Sequence, residues 1–194
     1  WGGVPTQGIM DSAPSVDVWG SNIYAWDNPE SNINTFIRNI RAVNSGRTNP
    51  GDIKVKGYIS ETGTDSYKHN AARTGGAVNE AEQAQSNVNI WNAFMNVWRG
   101  NKDVLLGIVF HSAFDEHDKN NDGDLTQTPS DSGSIFDTAG QRVHPYDDMS
   151  DQEFYGFYRI DGRAKPVVGS FRSLWLGKRA VQVRITNRAP DRKS

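Results

Sequence analysis

Hydrophobic residues along the chain follow two alternating patterns, one typical of strands and one typical of helices. The run VLLGIVFHSAF is largely apolar, which is typical of a parallel strand covered on both faces. Other segments are amphipathic, because their apolar residues recur every three or four positions. Predicted strands therefore lie at residues 16–24, 53–60 and 104–114, and predicted helices at residues 32–44, 79–99 and 165–176.

Strands that alternate with helices indicate parallel βαβ units, and three such units fit this chain. Three parallel strands do not close a barrel, since an eight-fold barrel takes about 250 residues. Val181, Val183 and Ile185 alternate with polar residues and indicate one more strand in the tail. The two longer helices should each bury one stripe, formed by Ile33, Phe36, Ile37, Ile40 and Val43 in the first and by Ala81, Ala84, Val88, Trp91, Met95 and Trp98 in the second.

Polar side chains lie at the point where each predicted strand ends. Asn22 and Tyr24 end the first strand, Glu61 follows the second, and His111 lies near the end of the third. Ligands of α/β folds bind beyond the carboxyl ends of the strands. We therefore expect these side chains to lie together at the carboxyl end of the sheet. A glycine precedes each polar end on what strand parity predicts to be the same face. Taken singly, Glu61 is better explained as a solvated boundary residue, Asn22 and Tyr24 as satisfied edge residues, and His111 as a hydrogen-bonded core histidine. Only their convergence indicates a site.

The composition narrows the range of functions. A net charge of -2 gives no electrostatic case for binding nucleic acid or an acidic membrane surface. The absence of cysteine excludes disulfides and thiolate chemistry. No apolar run approaches the roughly 20 residues of a membrane helix. Because the sequence opens at Trp1, we expect a processed product or one piece of a longer chain.

A polar stretch from Asp115 to Asp151 follows the third strand, and a loop this long is usually functional or held by an ion. Its segment DKNNDGDL places oxygen-bearing side chains at alternate positions, with Gly123 at the turn, as in the first half of an EF-hand loop. Pro129 occupies the position of the closing glutamate, so a complete EF-hand is not predicted. A looser structural Ca²⁺ site is the prediction, and a solvated turn is the alternative. Its predicted ligands are Asp118, Asn120, Asp122 and Asp124.

Four segments together resemble the C-terminal part of the (β/α)8 barrels of retaining glycoside hydrolases, the β-galactosidase- and β-glucanase-like superfamily with catalytic glutamates on strands four and seven. The segments are VDVWGSNIY, GYISETG, LLGIVFHSAFDE and FYGFYRIDGRAKPVVGSFRSLW. They are similar to strands six, seven and eight and to the closing segment. The resemblance implies an α/β fold that is part of a TIM barrel, with about three βα units over residues 1–178 and a tail or further strand over residues 179–194.

The resemblance also implies roles for individual residues. Glu61 would be the nucleophile of a double displacement on a β-linked polysaccharide or oligosaccharide, by hydrolysis or by transglycosylation, and Tyr24 would hydrogen-bond it. His111 stands where many members place a tryptophan platform. No cofactor is expected for the chemistry. The residues expected to bind substrate are Asn22, Trp26, His111, Phe114 and Asp115.

The resemblance places the acid/base glutamate on strand four, which this chain lacks. The single Asn-Glu pair, Asn79-Glu80, opens a predicted helix, where Asn79 is better explained as an N-cap with Glu82 three positions on. We therefore expect a partner, the N-terminal barrel half, and an extracellular or periplasmic location. Two alternatives stay open: a non-catalytic carbohydrate-binding relic of such a barrel, and a calcium-stabilised α/β interaction domain.

Overall fold

A computed structural model describes residues 4–24, 28–69, 76–116 and 154–176. Within these ranges, helices and strands alternate along most of the chain, as predicted. The elements are α1 (Gln7–Asp11), β1 (Val18–Asn22), α2 (Pro29–Gly46), β2 (Lys56–Thr62), β3 (Tyr67–His69), β4 (Gly76–Val78), α3 (Glu80–Trp98), β5 (Leu105–Phe110) and α4 (Pro166–Trp175).

A parallel sheet with the order β1-β2-β5 is the centre of the fold. The predicted α/β class with parallel strands is confirmed. The third strand is shorter than predicted, because β5 ends at Phe110. The short helix α1 and the antiparallel hairpin of β3 and β4 were not predicted.

Helix α2 covers one face of the sheet with the predicted stripe. Its five apolar stripe residues, from Ile33 to Val43, are all buried. The helix begins with Pro29 in its first turn, and the side chain of Asn28 caps it by accepting a hydrogen bond from the amide of Ser31. Burial of an amphipathic stripe supplies most of the stability of such a helix.

Gly57 of β2 lets α2 approach the sheet closely. A Cβ at this position would lie 2.6 Å from Cζ of Phe36 and would also overlap the side chain of Ile40. This glycine therefore serves helix packing, and the face of β2 on which it lies is the helix-covered face.

The buried face of α3 differs from the predicted stripe. Ala81 is exposed, and Trp91 and Trp98 pack against the core while remaining partly exposed. The side chains that α3 buries are Gln83, Ala84, Asn87, Ile90, Ala93, Phe94 and Val97. Two of them are polar, so hydrophobicity alone misplaced the face.

Several sequence predictions lie outside the described residues. They concern Trp26, the further strand at 181–185, the tail at 179–194, and the calcium ligands Asp118, Asn120, Asp122 and Asp124. Within the described ranges, no helix combines the length and hydropathy needed to cross a membrane.

Candidate active site

A register shift between β1 and β2 builds the site. Gly20 pairs with Tyr58 and Ser21 with Ile59, but Asn22 pairs with Glu61, so β2 contributes one extra residue, Ser60. The prediction that Glu61 shares a face with the preceding glycine, Gly57, is wrong, because Gly57 faces α2. The irregularity re-aims the side chain of Glu61 toward Asn22, which is a common effect of a β-bulge.

Glu61 is held through both of its carboxylate oxygens. The hydroxyl of Tyr24 donates to Oε1, and Nδ2 of Asn22 donates to Oε2 at 3.0 Å. The backbone amide of Ile23 donates to the carbonyl of Glu61 at 2.9 Å. Two side-chain donors on one carboxylate fix its orientation.

Tyr24 is suited to remain a donor. Burial, followed by the hydrogen bond to Glu61 and the charge of that carboxylate, raises the pKa of the Tyr24 phenol well above its ordinary value. Tyr24 therefore stays protonated at neutral pH and can donate its hydroxyl proton to the carboxylate.

Tyr155 connects Tyr24 to His111. The rings of Tyr24 and Tyr155 meet edge to face with centroids 6.1 Å apart, and the His111 ring lies 5.7 Å from that of Tyr155. The backbone of His111 donates to the carbonyl of Thr62 at 2.7 Å, and its peptide bond to Ser112 is cis. His111 therefore lies on the same side of the sheet end as Tyr24, with Tyr155 between them.

The two remaining described candidates, Phe114 and Asp115, lie beyond the end of β5. Phe114 is 53% exposed and its ring stacks at a tilt on Tyr158, 5.4 Å away. Asp115 is buried, pairs with Nζ of Lys165 at 2.6 Å, and accepts from the amide of Gly156 at 2.9 Å. These contacts give Asp115 a structural task that the sequence did not suggest.

The chain also buries the cation of this pair. Besides Asp115, Nζ of Lys165 donates to Oγ of Ser66 and to the carbonyl of Phe154, both at 3.0 Å. Burial lowers the pKa of Lys165, and the adjacent Asp115 carboxylate opposes that effect. The pair fixes the backbone on either side of Tyr155, so it supports one wall of the candidate site from behind.

Glu80, the acid in the one Asn-Glu pair, is poorly placed for general-acid chemistry. Arg159 donates to its two oxygens at 2.6 and 2.8 Å. Mainly because of that hydrogen bonding, the pKa of Glu80 is lowered, whereas a general acid needs a raised one. Asn79 caps α3 and donates to Glu82 at 2.7 Å, which confirms the predicted capping pair.

Sequence reasoning missed two residues of the site. Ser60 donates from Oγ to Oδ1 of Asn22 at 2.7 Å, and Tyr155 supplies the aromatic wall. Ser60 directly precedes Glu61 in the sequence. No sequence pattern predicted the register shift that turns Ser60 toward Asn22. Among the described residues, no group of three or more His, Asp or Glu side chains is placed to hold a metal ion.

No family model matches the sequence, and no curated protein does. Solved structures that resemble this chain include glycoside hydrolases. A GH2 β-galacturonidase from Eisenbergiella tayi is 15% identical with a TM-score of 0.45, over 81% of this chain and 23% of its own. A β-D-glucuronidase from Dictyoglomus thermophilum is 14% identical with a TM-score of 0.47. The match covers 89% of this chain and 25% of that protein. A glycoside hydrolase family 17 β-1,3-glucanosyltransferase from Rhizomucor miehei is 14% identical with a TM-score of 0.40. The match covers 84% of this chain and 45% of that protein.

This chain thus spans less than half the length of each of these proteins. With TM-scores below 0.5, the likeness assigns neither a family nor an activity. The functional argument therefore rests on the geometry around Glu61.

Proposed function

We propose that the chain is the C-terminal part of a retaining β-glycosidase or transglycosidase, with Glu61 as its nucleophile. The observation that carries the proposal is the doubly held carboxylate at the carboxyl end of β2, with Tyr24 on one oxygen and Asn22 on the other. A carboxylate held in a fixed orientation at a strand end is suited to the first step of a double displacement.

In that step, one Glu61 oxygen attacks the anomeric carbon of a β-glycoside. The bond from this carbon to the leaving oxygen breaks, the electron pair goes to that oxygen, and an acid protonates it. Water, or a sugar hydroxyl in transglycosylation, then displaces the glutamate and gives up a proton to the same group. Tyr24 and Asn22 keep the carboxylate from rotating, and their hydrogen bonds weaken as its charge is lost to the ester.

The acid/base is proposed to lie on the N-terminal half of the barrel. One face of the sheet is apolar and exposed, and this exposed face favours the proposal that an N-terminal half packs there. Val18 is 45% exposed, Leu106 48% and Val109 51%. Register places these three on the side of the sheet opposite Gly57 and α2. Within the described ranges, β1 and β5 are the edges of the sheet, where further parallel strands could pair.

The nucleophile can be tested without the acid. A fluoro-sugar inactivator with a dinitrophenolate leaving group needs no protonation, since dinitrophenolate departs as a stable anion. We expect a covalent sugar ester on Glu61, located by peptide mass spectrometry, and none in Glu61→Gln. Glu30→Gln, an acid in the first turn of α2, is the matched control and should label like the wild type.

Tyr24→Phe should slow this labelling about ten- to hundredfold, because a hydrogen bond to a charged group contributes roughly 1.5–3 kcal/mol. The assay is run on the chain alone and together with the rest of the barrel. Label on another residue, or equal labelling of Glu61→Gln, contradicts the assignment. Saturable binding of a β-linked oligosaccharide without any label indicates a carbohydrate-binding relic. If the chain shows no labelling and no sugar binding, the result indicates an interaction domain.

A further inference from the structure

We propose that Ser60 is a positioning residue that fixes the carboxamide of Asn22 and, through it, the carboxylate of Glu61. This inference rests on the proposed function and deepens it. The three side chains form one chain of hydrogen bonds, from Ser60 Oγ to Asn22 Oδ1 at 2.7 Å and from Asn22 Nδ2 to Glu61 Oε2 at 3.0 Å.

The direction of this chain follows from the chemistry of its groups. An ionised carboxylate only accepts, so Asn22 must present its amino group to Glu61. The Asn22 carbonyl oxygen then points the other way and needs a donor, which the Ser60 hydroxyl supplies. The reversed carboxamide would set two oxygens against each other at Glu61. Ser60 therefore stabilises the one orientation of Asn22 that serves the nucleophile.

The backbone makes room for this hydroxyl in two ways. The register shift opposite Asn22 turns Ser60 and Glu61 toward the same partner, which regular alternation would forbid. Gly20 supplies the space, because a Cβ there would lie 2.8 Å from Oγ and 2.9 Å from Cβ of Ser60. Two independent local features thus accommodate one hydroxyl beside the candidate nucleophile.

The test compares wild type, Ser60→Ala and Ser60→Thr by two measurements. The first is hydrogen exchange of the Asn22 carboxamide by NMR, with its signals assigned from Asn22→Asp. The second is the kinetics of labelling by the fluoro-sugar inactivator. For Ser60→Ala we expect exchange about two- to tenfold faster, the range that one lost hydrogen bond implies. The rate of covalent labelling should fall by a similar factor with unchanged inactivator affinity, and Ser60→Thr, which keeps the hydroxyl, should restore both.

Ser45→Ala is the matched control, since Ser45 donates to a carbonyl within α2, far from the site along the fold. It should change neither measurement. Unchanged Asn22 exchange in Ser60→Ala overturns the proposal, and so does failure of Ser60→Thr to restore it. If wild-type Glu61 does not label, the proposed function fails, and the exchange measurement still decides whether Ser60 orients Asn22.

Discussion

Replacing Lys165 with methionine tests the buried ion pair behind the candidate site. The pair joins Asp115, just after β5, to the residue that precedes α4. Its two side chains are 1% and 2% exposed. Methionine keeps much of the length of the lysine stem and removes its charge and donors.

The expected cost follows from which partners lose their hydrogen bonds. The carbonyl of Phe154 still accepts from the amide of Ser66 at 3.1 Å and from Nε2 of Gln83 at 3.2 Å. Asp115 keeps the hydrogen bond from the Gly156 amide but loses the hydrogen bond and the charge of Lys165. One buried carboxylate thus loses its counter-charge, and breaking a buried pair in this way costs roughly 3–5 kcal/mol. We expect about 3 kcal/mol, because the Gly156 amide remains.

The assay is urea unfolding followed by circular dichroism and fluorescence, with a common midpoint required of both probes. Lys68→Met is the matched control, because the Lys68–Glu82 pair is 47% and 31% exposed. It should cost less than about 1 kcal/mol. Asp115→Asn combined with Lys165→Met removes both charges and should be more stable than Lys165→Met alone.

Two results would refute this reasoning. One is a loss below about 1 kcal/mol in Lys165→Met, which would show that the buried carboxylate finds compensation elsewhere. The other is a double variant whose loss equals the sum of the two single losses, which would show that the two groups are not coupled.

Two further predictions concern packing and pH. Gly57→Ala should destabilise by about 1–3 kcal/mol in urea unfolding, because its methyl would overlap α2; Gly107→Ala, with nothing within 4 Å of the added methyl, is the control. In Arg159→Gln, the free energy of unfolding should fall less steeply than in the wild type as the pH is lowered into the acid range. The lowered pKa of Glu80 means that its pairing stabilises the fold above the unfolded-state pKa and is lost as pH falls through the folded-state pKa.

Either prediction can fail plainly. Equal unfolding midpoints for the two glycine variants would show that α2 shifts without cost. Parallel stability profiles of wild type and Arg159→Gln between neutral and acid pH would show that this pair does not link folding to protonation.

The sequence by itself determined the order of the three parallel strands and of the three longer helices, and it determined the buried face of α2. Those features depend on local spacing, because apolar residues at helical intervals must turn to one side. The five stripe residues of α2, from Ile33 to Val43, illustrate this. The positions of Asn22 and Glu61 near strand ends could also be predicted from local sequence, because polar and turn-forming residues follow each strand.

Tertiary structure decided the rest, through contacts between distant segments. The buried face of α3 includes Gln83, whose Nε2 lies within hydrogen-bond distance of four backbone carbonyls, among them those of Thr64 and Tyr155. No hydrophobic pattern can announce a polar residue whose partners lie up to 73 positions away.

The same holds for the site. Strand alternation would have sent Glu61 to the helix-covered face, and a single extra residue in β2 turns it toward Asn22 and Tyr24. Side-chain period is a local property, whereas register is set by how two strands pair across the sheet. The sequence therefore placed an acid at the end of a strand, and the pairing of β1 with β2 made it a held carboxylate.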